Sequence, residues 1–175
     1  MDVFSNFYLM MDICGINYKL NNVACAEAGV WNILKMRIQP GQAVNPKIFD
    51  VCAIVGNISF MEWLTENSVK GCSTDAMDLA ADAGHLDMVI WLNNNRTEGC
   101  TERAMDRAAG RGHLDVVKWL SENRTEGCTF VAKYLSKSNG HLDVFEWLSM
   151  RLKQPDVNMR FENVNIKWTF DKNKE

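Results

Sequence analysis

The side chains best suited to chemistry recur at a fixed interval of 28 residues along this sequence of 175 residues. All three histidines share the interval, and so do three of the six cysteines. Imidazole and thiolate groups are ligands that zinc prefers in proteins, so these residue types raise a zinc site as the first possibility. The residues concerned are Cys72, Cys100, Cys128, His85, His113 and His141.

The spacing between the two residue types argues against such a site. In each copy a whole predicted helix lies between the cysteine and the histidine that follows it, as between Cys72 and His85. About ten residues of helix separate the two side chains by roughly 15 Å, whereas zinc holds its ligands within about 2.3 Å. We therefore predict no metal and no cofactor. We interpret each histidine as a turn residue that bonds backbone carbonyls between repeats.

The even number of cysteines also permits disulfide bonds. Stacked helix pairs hold equivalent atoms roughly 8–10 Å apart, whereas the Cα atoms of a disulfide lie within about 7 Å of each other. We therefore expect small, buried thiols that stay reduced.

A column of carboxylates, Asp50, Asp78 and Asp106, follows the same interval. Paired carboxylates can perform acid–base catalysis. The preferred interpretation is that each one bonds N–H groups of its own helix turn. The sequence has no ordered nucleophile and base, and its glycines are periodic rather than gathered in a phosphate loop. We predict that the protein is not an enzyme. A hydrolase or metalloenzyme is the alternative that stoichiometric metal in the purified protein would support.

The shared interval marks an internal repeat with a period of about 28 residues, within the range of stacked helical repeats. Two near copies occupy residues 71–98 and 99–126, with a worn copy at 43–70 and a fourth at 127–154. In each copy a set of small apolar residues, a glycine and a second apolar set follow one another, which predicts two helices joined by a turn. Such a pair cannot bury its own apolar faces, so neighbouring pairs must stack in an all-α fold.

The two regular copies predict the bounds of the elements. First helices are expected over 74–83 and 102–111, and second helices over 86–94 and 114–122. Ser73, Thr101 and Thr129 stand where a helix N-cap is wanted. A column of tryptophans at helical spacing is assigned to the core. These are Trp63, Trp91, Trp119 and Trp147.

The two ends of the chain differ from the repeats. Residues 1–42 predict an N-terminal helix and a degenerate capping repeat, and residues 43–154 hold the four copies. Residues 155–175 alternate between apolar and polar and predict a β-hairpin that turns at Glu162-Asn163. Lys137 replaces a close-packed alanine in the fourth copy, which indicates a C-terminal cap that no further repeat covers.

The repeat resembles the ankyrin repeat through Ala108-Ala109 and the run Gly112-His113-Leu114-Asp115-Val116-Val117-Lys118-Trp119-Leu120. The resemblance covers about residues 43–154, and weakly 20–42. It implies a solenoid of antiparallel helix pairs that binds other proteins. The family repeats at about 33 residues, so this sequence resembles a short variant that lacks the β-hairpin finger. Asp78 and Asp106 also stand where the family's usual histidine would be.

Positions that differ between copies are free to recognise a partner, because the invariant positions carry the stack. Arg103, Arg107 and Arg111 are spaced one helical turn apart and line one helix face. In the resembled family this face lines the concave binding groove. The alternative is a solvated charged face on which Asp75 and Asp82 offset two of the arginines. The candidate protein-binding residues are Thr74, Asp75, Leu79, Asp82, Glu102, Arg103, Arg107, Arg111, Phe130 and Asn139.

Composition limits the kind of partner. The net charge is −3, which disfavours nucleic acid. No apolar run approaches the roughly 18 residues of a membrane span, and Asp2 and Asp12 argue against a secretory signal. We expect a monomeric scaffold in the cytoplasm or nucleus that binds another protein on its concave face. The alternative is an adaptor whose N-terminal segment, with Phe4 and Phe7, recruits a second partner such as ubiquitin-ligase machinery.

Overall fold

The computed structural model describes residues 21–152 together with Lys167–Trp168. This part of the chain is mostly helical, as expected for an all-α fold. The helices are α1 (Asn22–Glu27), α2 (Trp31–Arg37), α3 (Lys47–Val55), α4 (Ile58–Glu66), α5 (Thr74–Asp82), α6 (Leu86–Asn95), α7 (Glu102–Arg111), α8 (Leu114–Asn123), α9 (Phe130–Ser138) and α10 (Leu142–Arg151). Two short strands are present in these residues, β1 (Cys128–Thr129) and β2 (Lys167–Trp168).

The helices form pairs that contact one another in chain order. Within each pair the two helices pack together, as α5 packs on α6 and α7 on α8. The first helices also pack on each other along the chain, α3 on α5, α5 on α7 and α7 on α9. Second helices contact their neighbours more lightly, α6 with α8 and α8 with α10. The first helices therefore form the main line of contact between pairs.

Small side chains allow the first helices to approach closely. Ala80, Ala81, Ala108 and Ala109 are fully buried, as the repeat pattern predicted. A larger side chain at any of these positions would force neighbouring helices apart in a close-packed interior. The fourth pair carries Ser136 and Lys137 at the matching positions. Ser136 is buried, whereas Lys137 is exposed, and no further helix pair follows it in the described part of the chain.

The predicted helix bounds are confirmed to within one residue in the two regular copies. The glycine between the helices adopts the left-handed conformation in each, with φ of 76° at Gly84 and 84° at Gly112. Non-glycine residues resist this conformation, so the glycine ends the first helix and lets the chain reverse.

The predicted N-caps are confirmed at two of three positions. The hydroxyls of Thr101 and Thr129 accept hydrogen bonds from the backbone N–H groups of Arg103 and Val131. Ser73 occupies the N-cap position of α5, but its hydroxyl makes no capping bond. The prediction of a side-chain cap at Ser73 is therefore wrong.

The tryptophans lie at the edge of the core rather than inside it. Trp63, Trp91, Trp119 and Trp147 are partly buried and pack against the fully buried residues. In α8 the fully buried side chains are Val116, Val117 and Leu120. Tryptophan is large, so it is rarely buried in full although it is highly buried on average.

The five cysteines in the described part of the chain are free thiols, consistent with the expectation of reduced cysteines. Four are buried, whereas Cys72 is partly exposed. Burial raises the pKa of Cys52, Cys100 and Cys128 to about 12. These thiols are protonated at neutral pH and are poor nucleophiles.

The ends of the chain are described in part. Helices α1 and α2, with Gly29 at φ 70° between them, occupy residues for which the sequence predicts a degenerate repeat. The helix expected within residues 1–20, and the hairpin turn at Glu162-Asn163, lie outside the described residues. Strand β2 pairs antiparallel with β1, with Cys128 opposite Trp168 and Thr129 opposite Lys167. No helix in the described ranges is long and apolar enough to cross a membrane.

Candidate protein-binding face

The first helices leave one side uncovered, and most of the positions that vary between copies lie on it. In α7 the six residues Ala104, Met105, Asp106, Ala108, Ala109 and Gly110 are buried. Arg103 and Arg111 are exposed, and Arg107, midway between them on the same side, is partly buried. We call the side marked by these arginines, and by the residues at the same positions of α3, α5 and α9, the first-helix face.

Two of the three arginines are paired with carboxylates on the neighbouring helix. Arg103 Nη1 lies 3.9 Å from Asp75 Oδ1, and Arg111 Nε lies 3.1 Å from Asp82 Oδ1. Both arginines are more than half exposed, 58% and 65%, so the pairs add little stability. The sequence-based alternative, that Asp75 and Asp82 offset these arginines, is correct for these two residues.

Arg107 differs from its neighbours on the helix. It is partly buried and makes no ion pair or side-chain hydrogen bond with any residue that the structure describes. The matching positions on adjacent helices are Leu79 in α5 and Leu135 in α9. Arg107, in register between two leucines, is thus the one charge in the middle of the face without a counter-ion among the described residues.

The α9 side of the face is held in place by contacts with α7. Gly110 is buried, and a Cβ added there would lie 3.1 Å from the Cβ of Leu135. The side chain of Asn139 donates a hydrogen bond of 2.7 Å to the Gly110 carbonyl. The absence of a side chain at Gly110 therefore leaves room for Leu135 to pack against α7. This contact explains why residue 110 differs from the matching residue of the other copies.

The remaining candidates lie apart from the arginines. Thr74, Glu102 and Phe130 each begin a first helix. Each precedes the central position of its helix by five residues, or about 140° around an axis with 3.6 residues per turn. The structure therefore does not bring Phe130, which is 38% exposed, onto the same side as Arg107.

Two exposed apolar residues at the end of α3 were missed from the sequence, and one of them, Val55, belongs to the first-helix face. Ile54 and Val55 are 44% and 56% exposed at the end of α3. They occupy the positions of Asp82 and Ala83 in the next copy. Their alignment with Asp82 and Ala83, one period later, was the sequence evidence for these two positions. The first copy is degenerate, so this alignment is weaker than that between the two regular copies.

The column of carboxylates joins successive helix pairs. Asp78 accepts hydrogen bonds from the Thr101 backbone N–H at 2.8 Å and from the Thr101 hydroxyl at 2.6 Å. Asp106 accepts the same two bonds, at the same lengths, from Thr129. The interpretation that these carboxylates bond their own helix turn is wrong, because the donors begin the next repeat. Burial raises the pKa of both carboxyls, and the threonine hydrogen bonds oppose it.

The matching junction between the copies at 43–70 and 71–98 lacks these hydrogen bonds. Asp50 Oδ1 and Ser73 Oγ are buried atoms without a hydrogen-bond partner, although they hold the positions of Asp78 and Thr101. Burial and the negative charge of Asp75 raise the pKa of Asp50 to about 6, against a lowering by Lys47. Burial of Asp50 therefore destabilises the fold, because its Oδ1 lacks the hydrogen bonds that Asp78 and Asp106 make at the same position.

Two of the three histidines have the predicted structural role, whereas His141 makes no such bond with the residues that the structure describes. His85 Nε2 lies 2.9 Å from the Ile54 carbonyl, and His113 Nε2 lies 3.2 Å from the Asp82 carbonyl. Each carbonyl belongs to the preceding repeat, as predicted. Among the residues that the structure describes, no group of three or more potential ligands is placed to hold a metal ion.

An open cleft of about 360 Å³ lies at the helix turns, lined in part by Gly56, His85, Asp87 and Asp115. His85 is already bonded to a carbonyl. The two aspartates lie in the first turns of α6 and α8, where a carboxylate favours the helix dipole. These polar groups are accounted for by the fold, and the first-helix face remains the better candidate.

No model of a known protein family matches this chain, and no curated protein matches it either.

Proposed function

We propose that this chain is an ankyrin-type solenoid of antiparallel helix pairs that binds another protein on its first-helix face. The observation that carries the proposal is the separation of two kinds of position on the first helices. Positions shared between copies are buried and hold the stack, whereas Arg107 and most other variable positions lie at the surface. A surface that differs at each step while the scaffold stays constant is suited to recognising one partner.

Contacts repeated between neighbouring pairs support the solenoid. Asp78 with Thr101 and Asp106 with Thr129 join one pair to the next by the same two hydrogen bonds. Such repeated junctions make the face rigid before any partner arrives. A preformed surface loses little conformational entropy on binding, which favours affinity. We propose in the same terms a monomeric, non-enzymatic protein of the cytoplasm or nucleus.

Reversal of charge on the first-helix face tests the proposal. A photo-crosslinking residue placed at Leu79 should capture a partner from cell extract, and Arg103→Glu with Arg107→Glu should abolish that capture. Arg103 is exposed with only a weak ion pair, and the partly buried Arg107 makes no ion pair with the described residues, so the thermal unfolding of the double variant should stay close to that of the wild type. Mass spectrometry of the crosslinked product is the measurement.

The matched control is on the second helix of the same pair. Lys118 is exposed on α8, and Lys118→Glu makes the same change of charge there. Capture should survive this substitution. A crosslinker at Lys118 that captures the same partner as efficiently as one at Leu79 would argue against the first-helix face.

The adaptor hypothesis depends on residues 1–20, which lie outside the described part of the chain. Deleting these residues separates the two functions. An adaptor would lose one partner and keep its fold, whereas a simple scaffold would keep its partner or unfold.

A further inference from the structure

A single row runs along the middle of the first-helix face. It consists of one residue from each first helix, always at the same position of the repeat, and every member is partly buried. We call it the central row. Three of its members are apolar and one is charged. In chain order they are Val51, Leu79, Arg107 and Leu135.

The charged member of the central row lacks a counter-ion among the described residues. Asp75 and Asp82 on α5 are occupied by Arg103 and Arg111. On the α9 side the matching positions carry Val131, Leu135 and Asn139, none of which is acidic. Arg107 therefore has no ion pair within the part of the chain that the structure describes.

A partly desolvated guanidinium between apolar side chains favours one class of ligand. Burial weakens the hydration of the charge, and a carboxylate restores the lost interaction through two parallel N–H···O bonds. A doubly charged phosphate is commonly bound by a cluster of free cations, whereas here the two flanking arginines are already engaged. The leucines on both sides favour apolar contacts instead of further charge.

We infer that the partner presents one aspartate or glutamate carboxylate to Arg107, with apolar side chains on Leu79 and Leu135. This inference rests on the proposed function and names the chemistry of the partner. Neighbouring helices in a stack lie roughly 8–10 Å apart. A partner segment in the polyproline II conformation has three residues per turn and rises about 3.1 Å per residue, so the residues three positions before and after the acidic one lie on the same side as it, about 9 Å away.

Selection from a random peptide library on the immobilised full chain tests this chemistry. Peptides of about sixteen residues span roughly 50 Å when extended, which exceeds the width of four stacked helices. The selected peptides should share an acidic residue with apolar residues on both sides. Synthetic versions provide the probe for measured affinities.

Two substitutions then isolate the ion pair. Arg107→Gln in the protein and the acid-to-amide change in the peptide should each weaken binding about ten- to a hundredfold. Combining them should add little further loss, because both remove the same interaction. Lys118→Gln removes an equal charge from α8 and should leave the affinity within about twofold. The peptide-side change leaves the protein untouched, so its effect is readable even where Arg107→Gln lowers stability.

The outcomes distinguish this inference from the proposed function. Peptides that need Leu79 but tolerate loss of their carboxylate would overturn the ion pair and leave the binding face standing. A phosphoserine peptide that binds more tightly than its glutamate version would overturn the carboxylate assignment. Failure to select any peptide would overturn the inference that a continuous partner segment presents its carboxylate to Arg107, while the crosslinking test above decides the face itself.

Discussion

At the scale of single residues, the aspartate at one position of the repeat forms hydrogen bonds in two copies and leaves a buried oxygen without a partner in a third. Asp78 and Asp106 each accept two hydrogen bonds from the threonine that begins the next repeat. Asp50 stands at the same position, yet its Oδ1 has no partner. The residue type is therefore shared, while the hydrogen bonds that make it stabilising are present only at the later two junctions.

Alanine substitution should separate these two cases. Asp78→Ala leaves the Thr101 N–H and hydroxyl without their acceptor, which should cost about 1–3 kcal/mol in the free energy of unfolding. Asp50→Ala removes a desolvated carboxyl whose Oδ1 has no partner to lose, so stability at neutral pH should be unchanged or higher. Urea unfolding measures both. An equal loss in the two variants would contradict the assignment of the incomplete junction.

The pH dependence of Asp50→Ala follows from the direction of the pKa shift. The pKa of Asp50 rises from 3.8 to about 6 on folding, so the folded state holds this proton more tightly. The resulting stability is present below about pH 4 and is lost as the pH rises through about 6. The variant lacks this term, and its stability relative to the wild type should rise between these pH values. A constant difference would show that Asp50 titrates normally.

At the scale of helices and turns, the glycine that ends a first helix has two functions wherever another helix pair follows it. Its positive φ lets the chain reverse, as at Gly84 with φ 76°. Its missing Cβ also makes room for the histidine of the next repeat. A Cβ added to Gly84 would meet His113 Cε1 at 2.5 Å, whereas one added to Gly140 would meet nothing within 4 Å.

The last glycine therefore provides a matched control. Gly140→Ala should cost about 1 kcal/mol, which is the penalty for a left-handed alanine alone. Gly84→Ala should cost at least about 2 kcal/mol, since His113 must also move away from the Asp82 carbonyl that it bonds. Urea unfolding of the two variants tests this difference. Equal costs would mean that the histidine stacking contributes nothing.

At the scale of the whole molecule, stability is distributed along the row of helix pairs. Each first helix packs on the first helices immediately before and after it in the row, as α7 does on α5 and α9. Within residues 21–152, a pair in the middle contacts other helix pairs on two sides and a pair at either end contacts one on a single side. Stability in such an arrangement is a sum of local terms and neighbour terms, so opening should begin at the ends.

Buried cysteines can report this order of opening. Cys25, Cys52, Cys100 and Cys128 are buried in four different repeats. A thiol reagent reaches each one only when its own repeat opens, so Cys100 in the interior should be labelled more slowly than Cys25 near the end. Pulsed alkylation with mass spectrometry gives the rates, corrected by rates in high denaturant. One common rate for all four would indicate a single cooperative unit.

Periodicity alone was sufficient to predict the helices and the buried alanines. The spacing of Ala80, Ala81 and Gly84 predicts both the buried side of a helix and its end, because burial and left-handed turns are local requirements of the chain. The tryptophans were harder to place. Trp119 has the spacing of a core residue, but the room available for an indole depends on the distance to the next helix.

The sequence by itself determined the repeat, its helix pairs and the positions free to vary. The tertiary structure alone decided which residues of different repeats contact one another. Asp78 meets Thr101, and Arg103 meets Asp75, across distances in the chain that only stacking closes. Arg107 stands out for the same reason, because its lack of a counter-ion among the described residues depends on which side chains are neighbours in space. The sequence alone does not determine whether a charged side chain is paired, because its counter-ion can come from a residue that is distant in the chain or from another molecule.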